Sequence, residues 1–91
     1  MKHANWAVRA NGDLLKLYRW YRRYDDAIAL RIAISIVDKC DWLALNPATG
    51  SPLDRSRRKS IIAGTSYLIV YRPVSDGIKV LRIYHESQNW R

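Results

Sequence analysis

Apolar and polar residues follow two different periods along this chain, and where the period changes the elements change. Ala4, Trp6 and Val8 alternate with Asn5 and Ala7, which predicts a short half-buried strand over 4–8. Asn11-Gly12-Asp13 then offers residues able to cap a helix, and Leu14, Leu17, Tyr18 and Tyr21 recur at the spacing of one helical face. Lys16, Arg19 and Arg23 fall on the other side with Trp20 among them, and the helix should reach about Tyr24. Asp25-Asp26 interrupts the pattern and supplies a second N-cap, with negative charge where the helix dipole favours it. From 27 to 45 nearly every residue is Ala, Ile, Leu, Val or Cys, apart from a stripe at Arg31, Ser35, Asp38 or Lys39, and Trp42. A helix apolar over more than half its circumference must pack on two partners, here a sheet and the first helix. The short break between the helices makes them an antiparallel hairpin.

After the loop 46–52, rich in Pro and Gly, the period returns to two. Residues 55–62 are basic and then apolar, while 65–74 and 78–85 are rich in β-branched and aromatic residues. Ser75-Asp76-Gly77 joins the last two as a tight hairpin, and 67–71 is apolar on both faces, as a central strand is. The fold class is therefore α+β in one domain spanning 1–91: an N-terminal strand, an antiparallel two-helix hairpin, then a three-stranded antiparallel meander. The helices cover one face of the sheet and leave the other partly open, where a partner can dock.

Composition narrows the function. Sixteen Lys and Arg against eight Asp and Glu give a net charge of +8, which predicts attraction to a polyanion or to an acidic protein. No apolar run approaches the roughly 20 residues of a membrane span, and the N-terminus lacks the layout of a signal peptide, so the cytoplasm is the expected location and no membrane partner is expected. The single Cys40 makes no internal disulfide and reads as a small buried hydrophobe. His3, His85 and Cys40 have no metal-ligand spacing and the four glycines form no phosphate loop, so neither metal nor cofactor is expected.

Three clusters carry the candidate chemistry. Arg55, Arg57, Arg58 and Lys59 form a dense cationic run suited to phosphate or to an acidic segment, or alternatively a charged edge that prevents aggregation. Strand alternation would put Arg55, Arg57 and Lys59 on one face and Arg58 on the other. Lys16, Arg19, Trp20 and Arg23 combine cations with an exposed aromatic, which favours a binding surface. The segment 82–91 gathers Arg82, Tyr84, His85 and Trp90. His85 there is a candidate general base with Tyr84 and Arg82 nearby, but no second acid or base faces it, and local hydrogen bonding with Trp90 closing the core is the favoured reading.

Several ordered segments also resemble a family. They are Arg9-Ala10-Asn11-Gly12-Asp13-Leu14, Leu43-Ala44-Leu45-Asn46-Pro47 with Gly50, Tyr67-Leu68-Ile69-Val70-Tyr71-Arg72, and Gly77-Ile78-Lys79-Val80-Leu81-Arg82-Ile83-Tyr84-His85 ending in Gln88-Asn89-Trp90. Together they resemble the ParE branch of the ParE/RelE toxin superfamily of bacterial type II toxin–antitoxin modules, over nearly the whole chain. The resemblance implies a cytoplasmic toxin that inhibits DNA gyrase and is neutralised, in a hetero-oligomer, by a ParD-like antitoxin. RelE-like relatives instead cut messenger RNA in the ribosome. Leu68 stands where the nuclease pattern has an arginine, which weakens that alternative, while Arg58 and His85 remain its candidate catalytic groups. A third alternative is a nucleic-acid-binding module without toxicity. For the antitoxin the candidate contacts are Lys16, Arg19, Trp20 and Arg23, with the sheet edge. For the target they are Arg55, Arg57, Arg58, Arg82, His85 and Trp90.

Overall fold

The computed structural model describes residues 1–88 and orders them as β1 (His3–Trp6), α1 (Val8–Arg22), α2 (Asp26–Leu45), β2 (Ser51–Pro52), β3 (Arg58–Ile61), β4 (Tyr67–Val74) and β5 (Gly77–His85). The strands form one sheet in the order β1-β5-β4-β3-β2. Strands β2 to β5 are an antiparallel meander, and β1 closes the far edge parallel to β5. The α+β layout expected from the periodicity is present, with one strand more than the three-stranded meander. Ser51 and Pro52 add the short β2 by pairing with Lys59 and Arg58.

Three boundaries differ from expectation, each for a physical reason. The first strand stops at Trp6 because α1 begins at Val8, directly after Ala7. Asn11, Gly12 and Asp13 consequently lie inside α1 and do not cap it; the apolar face continues upstream through Ala10, which is fully buried. Among the basic run only Arg58 and Lys59 enter β3, because the Asp54 carboxylate accepts from the Ser56 and Arg57 backbone N–H groups and holds 54–57 in a turn. The second cap is as the sequence indicates: Asp25 Oδ1 accepts from the Ala27 N–H at 2.8 Å and the Ile28 N–H at 3.2 Å, an arrangement that stabilises a helix by about 1 kcal/mol.

The core lies between the hairpin and one face of the sheet. Ala10 and Leu17 of α1 and Ile36, Cys40, Leu43 and Ala44 of α2 meet Ile69, Tyr71, Ile78, Val80 and Ile83. Ile78 and Val80 alternate normally, but Ile83 is three residues further on. A bulge makes this possible: Val70 pairs with Arg82 and Tyr71 with Val80, so Leu81 is the extra residue and both Val80 and Ile83 face the helices. At the β4–β5 turn Gly77 has φ +137°, and any Cβ there would strike the His3 carbonyl, so this position serves the turn and the close approach of β1 together. Burial pushes the Cys40 thiol up to about 12, with Asp41 adding to the effect, so the thiol stays protonated. Coverage of α2 is less complete than its composition suggests. Both expected partners are in place, yet Leu30 and Ile34 remain about half exposed on its outer side.

Candidate binding site on the first helix

Tyr67 and Tyr71 sit on the same strand and face the same side, since successive side chains of a strand alternate. The chain treats these two positions in opposite ways. At Tyr71 the loop after α2 folds over the ring: the hydroxyl donates to the Pro47 carbonyl at 2.8 Å and accepts from the Gly50 N–H at 2.9 Å. Gly50 fits only without a side chain, because a Cβ would stand 2.7 Å from the Lys59 carbonyl oxygen and 2.8 Å from the Tyr71 ring. Arg58 completes the closure by donating to the carbonyls of Ala48 and Gly50 at 3.1 and 2.6 Å. Burial raises the Tyr71 hydroxyl above its ordinary range, partly offset by the Gly50 N–H and Arg58.

Among the described residues no loop closes over Tyr67 in this way. A cavity of about 550 Å³ opens there, floored by Leu17 and Ile83, walled by Trp20, Tyr21, Tyr67 and His85, and rimmed by Lys16 and the Asp13–Arg82 pair. With Tyr24 beyond Trp20, these four walls make a run of five rings in successive contact. Tyr24 lies 5.1 Å from Trp20, Trp20 4.9 Å from Tyr21, Tyr21 6.3 Å from Tyr67, and Tyr67 5.2 Å from His85, centroid to centroid. Three of these four contacts are edge-on, the arrangement favoured by the ring quadrupole. A smaller hollow beyond Trp20, lined by Tyr24 and Ile28, extends the groove to the tip of the helix hairpin. Tyr67 donates to the Tyr21 hydroxyl at 3.3 Å, and burial followed by that bond raises its hydroxyl above the ordinary range.

Lys16, Arg19 and Trp20 of α1 and Arg23 at its C-cap fall at i, i+3, i+4 and i+7 and all four are exposed; Lys16 and Trp20 line the groove, and the helical spacing sets Arg19 and Arg23 on the flank of the same helix. The groups assigned to a target are dispersed. Arg55 is exposed in the turn before β3, and Arg57 Nε pairs with Asp54 Oδ2 at 2.8 Å, so neither shares a strand face with Lys59. Arg82 is held by Asp13: Nε and Nη2 donate to the carboxylate at 2.8 and 3.2 Å, and the same carboxylate accepts from the Ile83 N–H at 2.9 Å. This pairing raises the Arg82 pKa, chiefly through the Asp13 hydrogen bond. Asp13 thus satisfies the edge of β5 beyond the end of β1, a role hidden in a sequence where Asn-Gly-Asp reads as a cap. His85 Nδ1 lies 2.6 Å from the Ser87 hydroxyl, a local contact of the kind favoured from spacing. Trp90 lies outside the described residues.

Arg58 and His85 do not converge. Arg58 pairs with Tyr71 and His85 with Tyr67, which puts them roughly 13 Å apart along the sheet and about 10 Å across it. Two groups at that separation do not meet on one phosphodiester. Among the described residues no group of three or more His, Cys, Asp and Glu is placed to hold a metal ion. Tyr21, Tyr24 and Tyr67 are the lining residues the sequence reading missed. Tyr21 and Tyr67 read as core, and their signal was the high tyrosine content of α1 beside a strand that begins with tyrosine.

Comparison with known proteins agrees with this architecture. The chain matches the family model of the ParE toxin of the type II toxin–antitoxin system parDE over residues 4–90. It is 31% identical over 90 residues to Y4kP of Sinorhizobium fredii (strain NBRC 101917 / NGR234), named as a candidate toxin, covering 98% of this chain and 93% of that protein. Its fold superposes with a TM-score of 0.79 on a chain of the chromosomal ParDE toxin–antitoxin system from P. aeruginosa, at 22% identity over 93% of this chain and 96% of that one. Match length and shared fold lead to one conclusion: the chain belongs to the ParE toxin family of type II toxin–antitoxin systems.

Proposed function

We propose that the chain is a cytoplasmic toxin that works by binding, with DNA gyrase as its target, and that a ParD-like antitoxin silences it by laying an acidic, partly apolar segment along α1. The observation that carries the antitoxin assignment is the ring-walled groove with Lys16, Arg19 and Arg23 beside it. Large rigid rings offer contact area at low entropic cost, and adjacent cations select a carboxylate-bearing partner and speed its encounter. A segment that folds as it binds would fill both hollows around Trp20 and pair its acidic residues with the α1 cations.

Family membership supports gyrase as the target, and the wide separation of Arg58 and His85 favours binding over phosphodiester cleavage. The test is gyrase supercoiling in the presence of purified toxin, with and without antitoxin. Inhibition relieved by the antitoxin is expected; full gyrase activity at large toxin excess would sink the gyrase assignment. Antitoxin affinity of a Trp20→Ala variant tests the groove separately.

A further inference from the structure

We infer that the outer face of α2 is a self-association surface, on which a second copy of this chain docks its own α2 in the antiparallel direction. Ala27, Leu30, Ile34 and Val37 recur at intervals of three and four residues, so they lie along one stripe of the helix. Leu30 and Ile34 are about half exposed, Ala27 is exposed and Val37 partly so, whereas Ala29, Ile36, Cys40 and Leu43 on the opposite side are buried. A contiguous apolar stripe outside a helix that has already met its sheet and its hairpin neighbour marks an interaction site.

The charges on that face decide what covers it. In α2 three acids, Asp26, Asp38 and Asp41, stand against Arg31 and Lys39, whereas α1 sets Arg9, Lys16, Arg19 and Arg22 against Asp13 alone. Asp26 pairs with Arg22 at 3.7 Å, and Lys39 lies over the Trp42 ring. The side chains of Arg31, Asp38 and Asp41 are exposed and have no hydrogen-bond or ion-pair partner among the described residues. Asp38 and Asp41 are three residues apart, hence neighbours of like charge, and they lie toward the C-terminal end, where the helix dipole favours cations. The last turn contains no basic residue to offset this. Both effects disfavour the two carboxylates, and a cation brought from outside relieves both.

An acidic peptide or a nucleic acid is repelled by these carboxylates, despite the net charge of +8 on the chain. The complement of this face has an acid opposite Arg31, a cation opposite Asp38 and Asp41, and apolar groups between them. The same helix reversed supplies all three. With Ile34 facing Val37 of the second copy, Arg31 falls within about 3 Å of axial rise from both Asp38 and Asp41 of the second copy. A two-fold axis repeats each contact and sets the helix dipoles antiparallel. One 20-residue helix from each copy makes a small interface, so the dimer should be weak, with a Kd on the order of 10 to 100 µM.

The test is sedimentation velocity of the purified chain over a concentration series from about 5 to 500 µM, where a monomer–dimer equilibrium is expected. R31E and D38K/D41K each set like charges across the two-fold axis and should weaken the dimer at least about tenfold. R31E/D38K/D41K, which reverses all three charges together, should restore the dimer to within about threefold of wild type. An equimolar mixture of R31E with D38K/D41K should form a mixed dimer, and Trp20→Ala on α1 should leave self-association in place. A monomer throughout the series, a dimer unchanged by R31E and D38K/D41K, or failure of the full reversal to restore it would overturn the inference. Loss of the dimer in Trp20→Ala would do the same, as would loss of antitoxin affinity in D38K/D41K, which would give this face to the antitoxin. Because self-association is read on the chain alone, it is independent of whether gyrase is the target.

Discussion

Tyr71 and Tyr67 lie four residues apart on one strand and one face, yet one is completely enclosed and the other lines an open groove. At the Tyr71 end the loop after α2 supplies the Pro47 carbonyl and the Gly50 N–H, and Arg58 ties down the loop's own carbonyls. At the Tyr67 end the hydroxyl's partner among the described residues is another tyrosine, and a cavity walled by rings stays open there. The difference separates stability from recognition on the same sheet. Polar atoms satisfied inside the protein have nothing left to offer a partner, whereas an incompletely covered aromatic groove gains from being filled.

The comparison can be broken most severely at Gly50. Gly50→Val forces a side chain against Lys59 and Tyr71 and should cost about 2–3 kcal/mol, read as a lower urea midpoint at unchanged slope. Next comes the matched pair of hydroxyl deletions. Tyr71→Phe leaves the Pro47 carbonyl and Gly50 N–H unsatisfied and should cost about 1–3 kcal/mol, whereas Tyr67→Phe should cost about 1 kcal/mol or less. Equal losses in the two variants would erase the distinction between the ends. Asp13→Ala, at the groove rim, strips Arg82 and the Ile83 N–H of their acceptor and should cost about 2 kcal/mol by thermal unfolding.

The smallest effect belongs to Asp54. Hydrogen bonds from Arg57 and then Ser56 lower its pKa to about 2, so its stabilising contribution is fully present above the ordinary carboxylate range and is lost as pH falls toward 2. Wild type should therefore lose slightly more thermal stability than Asp54→Asn between about pH 4 and pH 2. Identical acid profiles would show that the turn does not depend on this carboxylate.

Much of the fold was legible because it rests on period. The spacing of Leu14, Leu17 and Tyr21, the Asp25 cap and the Asp76-Gly77 turn are local signals, and each element they indicate is present. What escaped were contacts between residues distant in sequence. Asp13 reads as a cap next to Asn11 and Gly12, but its partners Arg82 and Ile83 lie 69 and 70 residues away. Arg58 reads as a free cation within a basic run until the loop carbonyls beside it are known. The cationic stripe on α1 was visible from helical spacing alone, whereas its aromatic groove was not, because Tyr67 comes from another element. The parallel placement of β1 also carries no local signal, since it depends on which sheet edge is left open.

Two tryptophans provide a matched test of whether the groove on α1 is the surface that receives the antitoxin. Trp20 on α1 is 50% exposed and Trp42 on α2 is 45% exposed, the latter covered in part by Lys39 at 4.5 Å from its ring centre. Isothermal titration of the cognate antitoxin into each alanine variant should show at least a tenfold weaker Kd for Trp20→Ala and a change of about twofold or less for Trp42→Ala, a contrast of about 1 kcal/mol or more. Undiminished affinity in Trp20→Ala, or the larger loss in Trp42→Ala, would contradict the account.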